Sequence, residues 1–596
     1  TFEVENKTRK KIISSSDQAE RFKHATISDH VYAPDFQDVF SRNWHENSPF
    51  DTSNMSLITE PFRLCKISNF IKSETFMDEL KNELSDVKSR RQSMDLYQFE
   101  QTSDLANVES ENLRRLYETF QTDVCAWMAS NTRIDLSKKI SMSSSCYYDT
   151  DYLLCHDDNL GDRRIAFVLY LSKSWTAEDG GTLDLFDTDE NGLPREIVRS
   201  LVPEYNSLVF FEVVDNSYHQ VAEVTSPEKS RWTINGWFHG PARASDRPPR
   251  PETEPRFLRP EPLPVKLDSW ISDSYLRPEI VKEIQKDVEL KSYTFLANFL
   301  RPEVYERLLG ELTSGDIEWS RLGPADVRRY EVADPETLPR SLRDFYDMFK
   351  SLGIFRLLKD YTELDLVPED GMDPKVTLEL QRWSKGCYTL ICDRPHAGQE
   401  EEKPPTSNGA SRSRNREKRS VRRASASSNE DISEEEILRR ILKGKAPRCS
   451  KKNSPTNGRA SQASCSKLEV NDPSGTKRGA PVNPDSEDSD VSDIGDYLSD
   501  PFDCSLECSE DETGNSSVAE PGTLDVIVQF HTSNVTEDDT IDYVDPREQE
   551  GALIHVPAKD NHLCLVYKTV GTSRLHKYVN HYCKGHFYNL ICTYHE

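Results

Sequence analysis

The chain repeats itself, and the repeat limits what it can fold into. SYTFLANFLRPEVYERLLGEL at 292–312 echoes FRLCKISNFIKSETFMDELKNEL at 62–84, aligning Asn298 and Phe299 with Asn69 and Phe70. TEDDTIDYVD at 536–545 echoes TAEDGGTLDLFD at 176–187, and VPAKDNHLCLVYK at 556–568 echoes VPEYNSLVFFEV at 202–213. HFYNLICTYH at 586–595 then echoes RWTINGWFH at 231–239. One echo is chance; the same order throughout argues for duplication of a whole domain. With 596 residues the chain is too long for one core in any case.

Each copy opens on a short apolar strand followed by a helix. In the first, Ser73 is a candidate N-cap, and Phe76, Met77 and Leu80 follow at helical spacing. Helix-like segments continue around 110–130. From about 140 the runs SCYYDT, IAFVLYLS, GGTLDLFD, NSLVFFEVV and RWTINGWFHG are short, β-rich and punctuated by turn residues. The expected class is α+β to mainly β, a small sandwich or barrel packed on helices. Residues 1–58 are expected to form an N-terminal extension, 59–245 the first domain, 246–265 a stiff Pro-rich linker and 266–596 the second domain. The second copy is interrupted at 396–519 by an insert that begins basic (RSRNREKRSVRR) and ends acidic, with twelve carboxylates and no Lys or Arg from Asp485 to Glu512. Such a segment buries too little apolar surface to offset its chain entropy and is expected to be disordered. Its basic run reads as a nuclear-import signal or as a solubilising stretch.

A formal net charge of -28 argues against nonspecific duplex binding and favours basic protein partners. Thirteen cysteines without a CxxC pair suit a reducing compartment. No apolar run approaches a membrane span, and TFEVENKTRKK lacks a signal core. The expectation is an intracellular protein, cytoplasmic and nuclear, trimmed before Thr1.

The chemistry centres on LLCHDDN at 153–159. In an extended strand His156 and Asp158 point the same way and can grip one cation together. On its own the triplet is weak, since about two or three such triplets arise by chance among 14 histidines in so acidic a chain. Context strengthens it. His219 follows a β-run 63 residues later and completes a set of two histidines and one carboxylate, the donor set that leaves open positions on Fe(II). Arg231, opening the next strand, can pair with a carboxylate deep in the barrel. Tyr170 lies on a strongly apolar strand and needs a polar partner for its hydroxyl, supplied by a ligand or by the barrel rim. Tyr147 is a weaker candidate, because its neighbour Tyr148 could take the same role with opposite facing.

These runs together, from YYDTDYLLCHDDN to EKSRWTINGWFHG, resemble the 2-oxoglutarate- and iron-dependent prolyl hydroxylases. More narrowly they resemble the eukaryotic prolyl 3-hydroxylases of the decoding-centre protein of the small ribosomal subunit. The resemblance is close over roughly 60–245 and extends to the C-terminus. It implies two tandem double-stranded β-helix (jelly-roll) domains, the first catalytic and the second degenerate and without metal. It implies Fe(II) on His156, Asp158 and His219, with 2-oxoglutarate held by Arg231, Tyr170 and Tyr147, and no catalytic residue beyond the metal ligands. O2 is the co-reactant and ascorbate a supporting reductant. Thr233 stands where many relatives have Ser, keeping the hydroxyl. The implied substrate is a small-subunit ribosomal protein, without membrane or direct nucleic-acid binding. A rival reading is an adaptor for messenger-RNA or translation-termination proteins. In the second copy, aligning LICDRPH at 390–396 with LLCHDDN puts Asp393 in the place of His156 and Pro395 in that of Asp158. His586 is then expected at the arginine position.

Overall fold

In a computed structural model the residues described are 27–245, 247–251, 255–368, 372–391, 522–535, 541–545 and 552–596. Ten strands carry the first copy: β1 (Leu64–Ile67), β2 (Tyr97–Thr102), β3 (Ile140–Tyr147), β4 (Tyr152–His156), β5 (Arg163–Tyr170), β6 (Leu183–Thr188), β7 (Pro194–Leu201), β8 (Leu208–Glu212), β9 (His219–Val221) and β10 (Arg231–His239). They pair antiparallel in the order β1-β8-β5-β10-β3-β2-β4-β9-β6-β7. Ten strands carry the second: β11 (Tyr293–Ala297), β12 (Arg328–Ala333), β13 (Lys375–Trp383), β14 (Tyr388–Thr389), β15 (Thr523–Phe530), β16 (Ile541–Val544), β17 (Ile554–Val556), β18 (His562–Lys568), β19 (Ser573–His576) and β20 (Phe587–His595). Their main sheet runs β11-β18-β15-β20-β13-β12, with β14 on β12, and β17-β16-β19 forms a second small sheet. Each copy is a double-stranded β-helix, and strand n of the first corresponds to strand n+10 of the second.

The duplication extends to single hydrogen bonds. Asn206 accepts from the Ile71 N–H at 2.9 Å and donates to the Ile71 carbonyl at 2.8 Å. Asn561 does the same with Leu300, at 2.9 and 3.0 Å. All four asparagines of the two motifs, Asn69, Asn206, Asn298 and Asn561, have φ between 52° and 56°, a left-handed region that asparagine tolerates better than most residues.

Strand periodicity decides what reaches the first jelly roll's interior. On β5, Ile165, Phe167 and Leu169 pack into the core beneath the helices, whereas Ala166 and Tyr170 face the interior cluster with Val209 and Phe211 of β8. On β10, Ile234 and Phe238 join the helix side, which leaves Arg231 and Thr233 for the interior. Helix Glu74–Asp86 is capped as expected, the Ser73 hydroxyl accepting from the Phe76 N–H at 3.2 Å, with Phe76, Met77, Leu80 and Leu84 buried.

Two expectations need correction. The boundary expected at residue 59 falls inside folded structure: helix Pro34–Glu46 buries Phe40 and Trp44 against Phe210 and Trp127, and strand Met55–Ile58 pairs with β1. The Pro-rich linker is not a free spacer, because Leu258 pairs with Val376 and Glu261 with Ser351. Both copies belong to one compact unit. Buried Glu223 accepts from the His581 N–H at 2.9 Å and from the Tyr578 hydroxyl at 3.3 Å, and Tyr578 lies against Tyr152. The insert, Asp393 and Pro395 lie outside the described residues. Among the described residues no helix is long and apolar enough to cross a membrane.

Candidate metal centre

The pairing of β4 with β9 sets His156 directly opposite His219, their rings 4.2 Å apart between centroids. Asp158 joins them with Oδ1 3.6 Å from His156 Nε2 and Oδ2 3.5 Å from His219 Nε2. Among the described residues this is the one group of three metal-ligating side chains, their ligand atoms all within 4.8 Å of one another. The route by which Asp158 arrives differs from the expected one. β4 ends at His156, and Asp158 lies past it with φ 60°, so a left-handed turn, not strand alternation, brings its carboxylate back beside the imidazole.

The imidazoles are held in the tautomer a metal needs. His156 Nδ1 lies 2.8 Å from the Leu154 carbonyl and His219 Nδ1 2.8 Å from the Ser217 carbonyl. A carbonyl can only accept, so each Nδ1 carries the proton and each Nε2 presents its lone pair to the site. Burial, with His156 adjacent, holds the His219 pKa down to about 4 and keeps the ring neutral. Burial would raise the Asp158 carboxyl, but His219, His156 and Arg163 outweigh it and hold it below its ordinary value.

Deeper in the barrel, Arg231 is 2% exposed and makes no ion pair among the described residues. Its Nε donates to the Gly181 carbonyl at 2.8 Å, and its guanidinium lies over Tyr147 at 5.1 Å and Tyr170 at 5.2 Å. The Tyr170 hydroxyl is buried with no hydrogen-bond partner. A buried cation without a counter-charge is costly, so this pocket is built for an anion. Tyr147 faces inward and Tyr148 is 40% exposed, which settles the facing left open in the sequence. The donor set fits Fe(II): two imidazoles with Nε2 turned to the site and a carboxylate, with the Arg231 guanidinium and the Tyr170 phenol buried in the same barrel as groups suited to a dicarboxylate.

Two groups were missed. Arg163 stacks on Trp237 at 3.7 Å with its Nη1 3.8 Å from Asp158 Oδ1. Arg163 Nη1 and Trp237 Nε1 are buried donors without hydrogen-bond partners. Trp237 continues the interior alternation of Arg231 and Thr233 and was findable from parity; Arg163 carried no such signal. Asp157, between the two ligands, gives its carboxylate to Arg247 and not to the cluster.

The second copy holds something else at these places. Strand register puts Arg574 at the position of His219, Phe587 at that of Arg231, Gln529 at that of Tyr170 and Asp525 at that of Ala166. The expected His586 is therefore one residue off the arginine position. Buried Asp525 receives Arg574 at 2.7 Å, Lys568 at 3.2 Å and the hydroxyls of Tyr543 and Thr593 at 2.8 and 2.6 Å.

A jelly roll with two histidines and a carboxylate at one mouth, and an unpaired arginine within, defines a 2-oxoglutarate- and iron-type oxygenase. Residues 142–239 match the model of the 2OG-Fe(II) oxygenase superfamily, and 264–405 with 484–596 match that of the oxoglutarate and iron-dependent oxygenase degradation C-terminal domain. The chain is 41% identical to the mouse protein named prolyl 3-hydroxylase OGFOD1, over 57% of this chain and 63% of that one. It is 34% identical to the Xenopus laevis protein of the same name, over 60% and 75%. It is also 34% identical to Drosophila melanogaster prolyl 3-hydroxylase sudestada1, over 56% and 65%. The matched stretch thus spans less than two thirds of the mouse and fly proteins. The chain belongs to the prolyl 3-hydroxylase OGFOD1 family.

Proposed function

We propose that the chain is a dioxygenase dependent on Fe(II) and 2-oxoglutarate that hydroxylates C3 of a proline in a small-subunit ribosomal protein. The observation that carries this reading is the buried, unpaired Arg231 beside the partnerless Tyr170 hydroxyl, in the same barrel as the His-Asp-His cluster. His156, Asp158 and His219 would hold the iron, and Arg231 with Tyr170 the distal carboxylate of 2-oxoglutarate, while Tyr147 walls the guanidinium. Bound iron, with 2-oxoglutarate and O2, supplies oxidative decarboxylation to succinate and carbon dioxide coupled to C–H hydroxylation. The residues contribute geometry: fixed imidazoles, a carboxylate with the Arg163 guanidinium beside it, and a buried wall of Leu185, Phe211 and Val209 that excludes water. Arg163 Nη1 and Trp237 Nε1, beside Asp158, are the donors available to a substrate carbonyl.

The acidic net charge favours a basic ribosomal substrate. The names of the relatives support proline as the residue modified and C3 as the carbon. A relative from Ostreococcus tauri, 28% identical, is named a prolyl 3,4-dihydroxylase, so the product must be resolved by position. The test is 2-oxoglutarate turnover by the full chain with peptides of the small-subunit protein, read as succinate release and by mass spectrometry that separates 3- from 4-hydroxyproline. Absence of peptide-stimulated succinate would refute the reading. The basic run 412–423 supports residence in nucleus and cytoplasm, tested by imaging the tagged chain with and without it.

A further inference from the structure

The segment RPPR at 247–250 joins the two copies, and both arginines are engaged. Arg247 gives its guanidinium to the Asp157 carboxylate and, at 2.5 Å, to the Asp215 carbonyl, and stacks over the Tyr218 ring at 5.3 Å. Arg250 reaches Asp326 of the second copy at 2.5 Å. Asp157 lies between the ligands His156 and Asp158, whereas Asp215 and Tyr218 flank the approach to the ligand His219. Arg247 therefore ties together two loops that are distant in sequence and that between them carry all three ligands.

The same two loops are joined again from inside. Fully buried Ser217 donates its hydroxyl to the Asp157 carbonyl at 2.8 Å, and its own carbonyl fixes His219 Nδ1. Tyr218, 1% exposed, packs with Cys155 and with Ala325 of the second copy, and the Ala325 N–H donates to the Pro194 carbonyl at 3.1 Å. The arm bearing His219 is thus held by Ser217 beneath, by Arg247 above and by the second copy alongside. Two prolines between the arginines fix the span between the anchors.

We propose that this strap is a positioning device for the iron site: Arg247, acting through Asp157 and the 215–218 loop, holds the ligands in register, and Arg250 transmits the hold from the second copy. The second domain is then a buttress for metal retention. The inference rests on the reading of His156, Asp158 and His219 as iron ligands. Groups that orient ligands from outside the coordination shell are worth about 10- to 100-fold in metal affinity.

The test titrates the full chain with Co(II) alone, read by its visible absorption, in wild type, Asp157→Asn, Arg247→Ala, the double variant, Arg250→Ala and His219→Ala. Asp157→Asn keeps size and shape and guards against a variant that fails to fold. The expected result is a Kd raised about 10-fold in each of the first two, with the double variant no weaker than either, since both remove one interaction. Arg250→Ala shows a smaller rise. Thermal unfolding of the metal-free forms separates this from simple destabilisation, which lowers Tm without moving Kd. Kd values within twofold of wild type, alongside loss of binding in His219→Ala, would overturn the strap while leaving the site standing. If wild type binds Co(II) no better than His219→Ala, the ligand assignment fails and the strap with it.

Discussion

Gly181→Ala tests whether Arg231 holds the cosubstrate without touching Arg231 itself. Gly181 sits at φ +62°, where an alanine costs about 1–2 kcal/mol of backbone strain. A Cβ there would lie 2.8 Å from Arg231 Cδ, 3.1 Å from Val224 Cγ2 and 3.3 Å from Trp175 Cζ2. Ordinary carbon contact is about 3.6 Å, so the arginine stem must retreat by about 0.8 Å while its Nε is anchored to the Gly181 carbonyl at 2.8 Å. If the guanidinium binds the distal carboxylate, a displacement of that size loses one charge-assisted hydrogen bond, about 1.5–3 kcal/mol, and raises the KM for 2-oxoglutarate about 10- to 150-fold. None of the three nearest neighbours is a metal ligand, so the Kd for Co(II) should hold. The assay is initial-rate succinate release against 2-oxoglutarate at saturating iron and peptide. A KM within twofold of wild type in a folded protein would mean that Arg231 does not bind the cosubstrate.

His156→Ala or Asp158→Ala should abolish turnover while leaving the circular dichroism spectrum unchanged; near-normal activity in either would remove it from the ligand set. Deleting 400–518, which interrupts only the second copy, should leave peptide hydroxylation within about twofold by the same assay, and a larger fall with the fold retained would give the insert a part in substrate recruitment. His576 is buried and stacked on Trp383 at 3.9 Å, and burial holds its pKa down to about 4 from the ordinary 6.5. The unfolded chain takes up that proton first, so this group costs nothing above pH 6.5 and about 2 kcal/mol of stability by pH 5. Urea unfolding at pH 7.5, 6 and 5 should show a flatter loss in His576→Phe than in wild type; parallel losses would refute the burial argument.

What was legible in the sequence was what periodicity encodes. Alternation on IAFVLYLS and RWTINGWFH places Tyr170 and Arg231 inside, and the repeat of Asn69 and Asn298 marks a turn that the structure reproduces to the hydrogen bond. Helix Pro34–Glu46 was overlooked although Phe36, Phe40 and Trp44 recur at spacing four behind a first-turn proline, a usable helix signal. Asp158 was assigned for a strand reason that does not operate, because a positive φ at a non-glycine residue leaves little trace in sequence. Arg247 was hidden for a different cause: an arginine in a Pro-rich stretch reads as solvated linker until the chain's path brings it over Asp157.

Among the described residues the two copies differ in more than the side chain at the His219 position. In the first, Asp158 is a buried carboxylate set between His156 and His219, and Ala166 carries no charge. In the second, Arg574 replaces His219, and the carboxylate it requires comes from Asp525 in the place of Ala166. One negative charge faces two fixed positive ones, Arg574 and Lys568. Each Asp525 oxygen also accepts from a hydroxyl, Oδ2 from Tyr543 and Oδ1 from Thr593. The interior of the second copy is thus closed by its own ion pair, and breaking one partner leaves a buried charge that costs about 3–5 kcal/mol. Arg574→His would remove the guanidinium but leave Asp525 committed to Lys568 and two hydroxyls. It should therefore destabilise the chain without gaining Co(II) binding, and the gain of a second Co(II) site would show that the ligand set, not the rebuilt interior, is what keeps metal out.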